Sequence, residues 1–288
     1  MLLQRLKTAI PLILVVILAF FLPGWPGKAC FLLLASFALV TGIQEMLTLC
    51  EGRDWRPDLK CLASAFGLAL LALTAVTYWN PASPRLTASQ FHGAEILLCL
   101  VFLLGAFVFA FRDQPDQTSV HGLMSVLASG LYLSLPLNYL PKVYFQWENG
   151  SWLIAFLVAV TKTADIGAYF VGTATAKLPG GNHKLAKVVS PKKSWEGLLG
   201  GLVFSTLTAW LFWHFAAAHL QGLTFRRALA LGILSPFVGL LGDLAESYLK
   251  RAANAKDSGT LPGLGGILDT LDSLIPMIPL LYALLCLA

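Results

Sequence analysis

Charge is scarce in this sequence. Only 12% of its 288 residues are Asp, Glu, Lys or Arg, against 57% that are hydrophobic. A soluble domain carries about 25% charged residues. That scarcity, with a mean hydropathy of +0.73, excludes an ordinary water-soluble globule and makes lipid the solvent for most of the chain. The short alternating segments of a transmembrane barrel are also missing. Backbone polar groups in hydrocarbon must bond internally, so the long apolar runs read as helices. The expected fold is all-α, a polytopic integral membrane protein.

Cysteine is sparse too. Cys30, Cys50, Cys61, Cys99 and Cys286 are scattered, odd in number and without a CxxC pair, which excludes a zinc site or disulfide framework by spacing. They read as small buried apolar residues. No nucleic-acid motif accompanies the basic residues, and no internal repeat is present. No small-x-small cleavage site follows the apolar stretch Ile10–Leu22; Pro23, Trp25 and Pro26 come instead. Lys28 stands where a lipoprotein site before Cys30 needs a small residue. The stretch therefore reads as a retained first span.

What is there is a series of nine candidate spans: 8–22, 29–50, 61–79, 94–111, 120–137, 152–171, 196–217, 228–249 and 267–287. The positive-inside rule orders the loops between them. With the N-terminus inside, the inner segments hold Arg5, Lys7, Arg53, Arg56, Lys60, Arg112, Lys177, Lys184, Lys187, Lys192, Lys193, Lys250, Arg251 and Lys256. The outer loops hold only Lys28, Arg85, Lys142, Arg226 and Arg227, while Lys162 lies within a span. The expected topology is nine helices with a cytoplasmic N-terminus. The net charge of +5 suits anionic lipid at the cytoplasmic face and needs no role beyond topology.

Chemistry concentrates late in the chain. Residues 1–150 read as scaffold helices, a dimer or lipid-entry surface, with Glu45 and Glu95 lacking an evident partner. Residues 151–288 carry the candidate site. On span eight, Asp243, Glu246, Ser247 and Lys250 fall at i, i+3, i+4 and i+7, one polar stripe on a helix. Lys250 and Arg251 also complement the helix C-terminus. That accounts for the bases and leaves Asp243 unexplained. Asp269 and Asp272 are spaced i, i+3 after Pro262-Gly-Leu-Gly-Gly266. One acid in a first turn satisfies the helix dipole; two on one face repel unless a cation lies between them. A hard divalent ion takes such oxygens, and magnesium pairs one or two carboxylates with substrate phosphates. Gly265 and Gly266 admit a close ligand.

Upstream, residues 177–197 hold five lysines, His183 and no acid before Glu196. Such a loop suits polyphosphate or lipid headgroups, with Ser194 a candidate N-cap and His183 inert. Asp165 is spaced to meet Tyr169, or to neutralise Lys162.

Several segments resemble the phosphatidate cytidylyltransferase family, also called CDP-diacylglycerol synthases. They are Ser247-Tyr-Leu-Lys-Arg251, Lys256-Asp-Ser-Gly259, Leu261-Pro-Gly263, Gly265-Gly266, Leu268-Asp269 and Asp272-Ser273. Asp165 with Gly167-Ala-Tyr169, Ser190-Pro-Lys-Lys-Ser-Trp-Glu-Gly197 and Gly242-Asp243 extend the likeness, which is specific from about residue 160 onward. The resemblance implies a helical membrane enzyme, often dimeric, that joins CTP and phosphatidic acid into CDP-diacylglycerol and pyrophosphate. It implies magnesium, and admits a second, monovalent cation. Asp243, Asp269 and Asp272 would be its metal acids, and Lys250 would be catalytic with them. Asp165, Lys192, Lys193, Ser247, Arg251, Lys256, Asp257, Gly265 and Gly266 would hold substrate. The sequence departs from the family at Leu264, where histidine is usual, at Thr270, where arginine is usual, and at Ile166, where threonine is common.

The chemistry fits the residues. A phosphomonoester has its second pKa near 6, so phosphatidate is already a nucleophile at pH 7. What it lacks is charge neutralisation. The expected place is the inner membrane of a bacterium, with the site facing the cytoplasm. Two other readings stand beside this one: an ion-coupled transporter, which would need an ion gradient and release no pyrophosphate, and a silent lipid-binding relative, which would bind CTP without turnover.

Overall fold

The computed structural model describes residues 14–52, 55–80, 82–259 and 265–287. Among them, seven helices are long and apolar enough to cross a membrane. These are α1 (Gly24–Glu51), α2 (Pro57–Tyr78), α3 (Ala88–Ala110), α4 (Gln117–Gln146), α5 (Gly150–Thr175), α6 (Trp195–Ala216) and α7 (Phe225–Ala252). They coincide with the second to eighth expected spans. Residues 14–21 are helical; the rest of the first expected span, with Arg5 and Lys7, lies outside the described residues, as does Arg53.

The ninth expected span is broken. It forms α8 (Ile267–Leu271) and α9 (Leu274–Cys286), with Asp272 and Ser273 in a turn between them. Two local causes act together. Pro276 has no N–H to give to the carbonyl of Asp272. The Asp272 Oδ1 also accepts the Ser273 N–H at 2.6 Å, the side-chain competition that disfavours aspartate inside helices. The 13 residues of α9 reach about 20 Å at 1.5 Å each, short of a hydrocarbon core about 30 Å thick.

The chain divides into two compact units. The first joins the residues up to Gln146 with Ala253–Thr270. Here α1, α2 and α4 pack together, and α3 lies against α2 and α4. Thr87 starts α3 with a capping box: its hydroxyl accepts the Gln90 N–H while Gln90 accepts the Thr87 N–H. Only Phe91, Phe102 and Ala106 of α3 are buried. Its exposed Ile96, Leu97, Val101, Leu104 and Val108 suit contact with lipid. Lys142 is not in an outer loop, as expected, but inside α4 and buried. Its Nζ is 2.7 Å from Glu95 Oε1. That same oxygen accepts from Asn138 Nδ2 at 3.0 Å, and Asn138 Oδ1 accepts from Thr74 at 2.9 Å. Glu95 thus has the partner that the sequence did not reveal.

The second unit joins Trp147–Ala252 with Leu271–Ala288. Small residues let α5 and α6 approach closely, a common device between membrane helices. A Cβ on Gly201 would lie 2.9 Å from the Ala164 carbonyl oxygen. Ser205 of α6 donates to the Gly232 carbonyl of α7 at 2.7 Å. The lysine-rich segment between α5 and α6 holds a small antiparallel hairpin, β1 (Lys184–Ala186) and β2 (Ser190–Ser194). Ser194 then caps α6, its Oγ accepting the Gly197 N–H at 3.1 Å. All five cysteines are unpaired; Cys61 and Cys286 are exposed and the other three half-buried, rather than buried as expected.

Candidate functional site

The polar stripe expected on span eight lies on α7, in the second unit. Lys250 and Glu246 are both buried and pair at 2.7 Å. Ser247 Oγ donates to Asp243 Oδ1 at 3.3 Å. Lys193, at the end of β2, places its Nζ 2.6 Å from Asp243 Oδ2. The turn between α8 and α9 meets this stripe because Gly242 has no side chain. A Cβ there would lie 2.1 Å from the Asp272 carbonyl oxygen.

Asp243, Glu246 and Asp272 each bring a carboxylate oxygen within 4.8 Å of the others. Three such groups repel one another unless protons or cations intervene. An all-oxygen set of this kind fits a hard divalent cation such as magnesium and does not suit a soft metal.

Beside the acids, Ser273 joins Lys162 to Asp165. It accepts from Lys162 Nζ at 3.0 Å and donates to Asp165 Oδ2 at 3.0 Å. Lys162 is itself 3.5 Å from Asp165 Oδ2, so the neutralising pair read from the sequence is present, with a serine shared between its members. Lys192 and Arg251 are exposed, and His183 is paired with Glu196 at 2.6 Å.

The remaining candidates belong to the first unit. Asp269 Oδ2 accepts from the Ser258 N–H, the Gly266 N–H and the Ser258 hydroxyl at 2.8, 2.8 and 3.0 Å. Asp269 opens α8, but Asp272 does not share that helix, so their i, i+3 spacing does not place them on one helical face. Gly265 has φ +82°, and a Cβ on Gly266 would meet Ser258 Oγ at 2.0 Å and Glu45 Oε2 at 2.4 Å. The space above Gly266 is filled by protein. Lys256 and Asp257 are exposed. Thr270 donates its hydroxyl back to the Gly266 carbonyl at 3.1 Å, and Ile166 is 47% exposed. Leu261-Pro-Gly263 and Leu264 lie outside the described residues.

Four participants were not singled out from the sequence: Glu246 as a partner of the acids, Ser273, Ser258 and Glu45. The i, i+3 spacing of Asp243 and Glu246 could have found the first. Nothing local announces Glu45, whose contacts lie more than 200 positions away.

Comparison with known proteins identifies the family. The model of the Cytidylyltransferase family matches residues 3–288. Relatives named phosphatidate cytidylyltransferase include one from Haemophilus influenzae, 33% identical over 210 residues, covering 71% of this chain and 64% of the relative. The Pseudomonas aeruginosa protein is 36% identical over 183 residues, 63% of this chain and 65% of its own. The Mycobacterium tuberculosis protein is 41% identical over 126 residues, 43% of this chain and 35% of its own. The matched part of this chain thus spans less than two thirds of each of these relatives. The family match itself runs from residue 3 to residue 288, leaving neither unit outside it, and the chain belongs to the cytidylyltransferase family.

Proposed function

We propose that this protein transfers the cytidylyl group of CTP to phosphatidic acid, releasing CDP-diacylglycerol and pyrophosphate. One observation carries the reading: an oxygen-only group of three acids, Asp243, Glu246 and Asp272, sits among lysines at the end of apolar helices in a member of this family. Phosphatidate is amphiphilic and CTP is not, so the reaction belongs where lipid meets water.

An oxygen of the phosphatidate phosphate attacks the α-phosphorus of CTP. The bond from that phosphorus to the β-phosphate oxygen breaks, and pyrophosphate leaves. No strong general base is required, because the nucleophile is already ionised. The residues supply charge and place. Asp243, Glu246 and Asp272 would hold magnesium, which when bound offsets the negative charge of the phosphates. Lys193, paired with Asp243 without substrate, is placed to exchange that carboxylate for a phosphate. Lys250 holds Glu246 in place through their ion pair. Lys162 and Asp165 orient Ser273 and, through it, the turn bearing Asp272. Asp269 keeps the role of a further acid that the family resemblance gives it, and Lys192, Arg251, Lys256 and Asp257 remain substrate-facing candidates.

The same reading extends to nine crossings, the last made by residues 267–287 across the break at Asp272, an N-terminus in the cytoplasm, and a site facing the cytoplasm from a bacterial inner membrane. The sorting of lysine and arginine between loops supports it. Residues 1–150 would form the scaffold and a homodimer surface, and residues 151–288 the catalytic region. Family membership displaces the transporter reading.

The test is formation of CDP-lipid by the purified protein from CTP and phosphatidic acid, followed by mass spectrometry with and without magnesium. Product should appear only with both substrates and the ion. Asp243→Asn and Asp272→Asn should each reduce it at least 100-fold while the protein stays folded. Binding of CTP without turnover would identify a silent relative and refute the proposal.

A further inference from the structure

Glu45 is a carboxylate within the largely apolar α1, whose other charged residues, Lys28 and Glu51, lie near its ends; charge in such a helix is costly. All of its described partners lie in the C-terminal segment of the first unit. Glu45 Oε1 accepts the Ile267 N–H at 3.0 Å. Oε2 accepts the Leu268 N–H and the Ser258 hydroxyl, each at 2.9 Å. The next amide upstream, Gly266 N–H, goes instead to Asp269. Three successive amides at the start of α8 are thus divided between two carboxylates, and the Ser258 hydroxyl lies against both. That hydroxyl has one proton and can donate to only one of them at a time. Gly259 and Gly266 leave room for Glu45, since a Cβ on either would come within 2.4 Å of its oxygens.

We propose that Glu45 is a positioning residue: it fixes Ser258 and the start of α8 and thereby sets the direction of the Asp269 carboxylate. The inference rests on the reading that Asp269 takes part in cytidylyl transfer. It gives the N-terminal helices a task beyond scaffolding, because α1 supplies the acceptor that orders a segment more than 200 residues later. Every partner of Glu45 named here is a donor. A glutamine would keep one acceptor and turn an NH2 group toward another N–H, so Glu45→Gln should resemble a deletion rather than a conservative change.

The test pairs two readouts on full-length protein in nanodiscs. Hydrogen–deuterium exchange of peptides spanning 258–271 should quicken at least tenfold in Glu45→Gln. In the CTP and phosphatidate assay its kcat should fall about 10- to 100-fold, the scale of losing charge-assisted hydrogen bonds, while both KM values stay within about threefold. Ser258→Ala removes only the shared hydroxyl and should give a smaller loss, not additive with Glu45→Gln. It also serves if Glu45→Gln does not fold. Unchanged exchange in these variants would overturn the latch. Faster exchange with unchanged kcat, where Asp269→Asn is inactive, would overturn the positioning role. Full activity of Asp269→Asn would instead refute the role of Asp269 itself, a separate result read from a separate variant.

Discussion

Gly242→Ala tests how the acids are brought together. The added Cβ would sit 2.1 Å from the Asp272 carbonyl oxygen and 2.9 Å from Pro276 Cδ. An ordinary carbon–oxygen contact is about 3.4 Å, so the turn must retreat by roughly 1.3 Å from α7. Overpacking of this kind costs about 1–3 kcal/mol. The same retreat carries Asp272 away from Asp243 and Glu246, and a misplacement of about 1 Å at a reacting centre can cost about 100-fold in rate. Thermal unfolding and CDP-lipid formation should therefore diverge, with modest destabilisation and a large loss of activity. Gly239→Ala is the control one turn earlier on α7. Its Cβ would lie 3.5 Å from Ser273 Cβ, an ordinary contact, and it should keep activity within about threefold. If Gly242→Ala folds and retains half of the parent activity, the close approach does not set the site.

A further prediction follows from the charges. In the first unit, Glu95→Gln leaves the buried Lys142 without its carboxylate and should cost about 3–5 kcal/mol. Adding Lys142→Met should recover much of this, and equal stability of both single variants with the parent would refute the pairing.

The long helices were legible because hydrocarbon imposes one solution on the backbone. The stripe Asp243–Glu246–Ser247–Lys250 was legible because helical periodicity places those positions together. The break at Asp272 escaped because a hydropathy average passes over a two-residue turn, although Pro276 four positions later gave the signal. Lys142 read as a loop base because Pro141 and its polar neighbours imitate a turn. Pairing with Glu95 lets it stay inside α4. Glu45 was legible only as a carboxylate without an evident partner, since its partners depend on tertiary folding rather than on any local pattern.

The central claim is that Asp243, Glu246 and Asp272 hold a divalent cation. Manganese binding, followed by electron paramagnetic resonance on purified protein with CTP, addresses it most directly. The account predicts saturable binding in the parent protein and its loss, by at least tenfold in affinity, in Asp243→Asn and in Asp272→Asn. Undiminished manganese binding in both variants would contradict it.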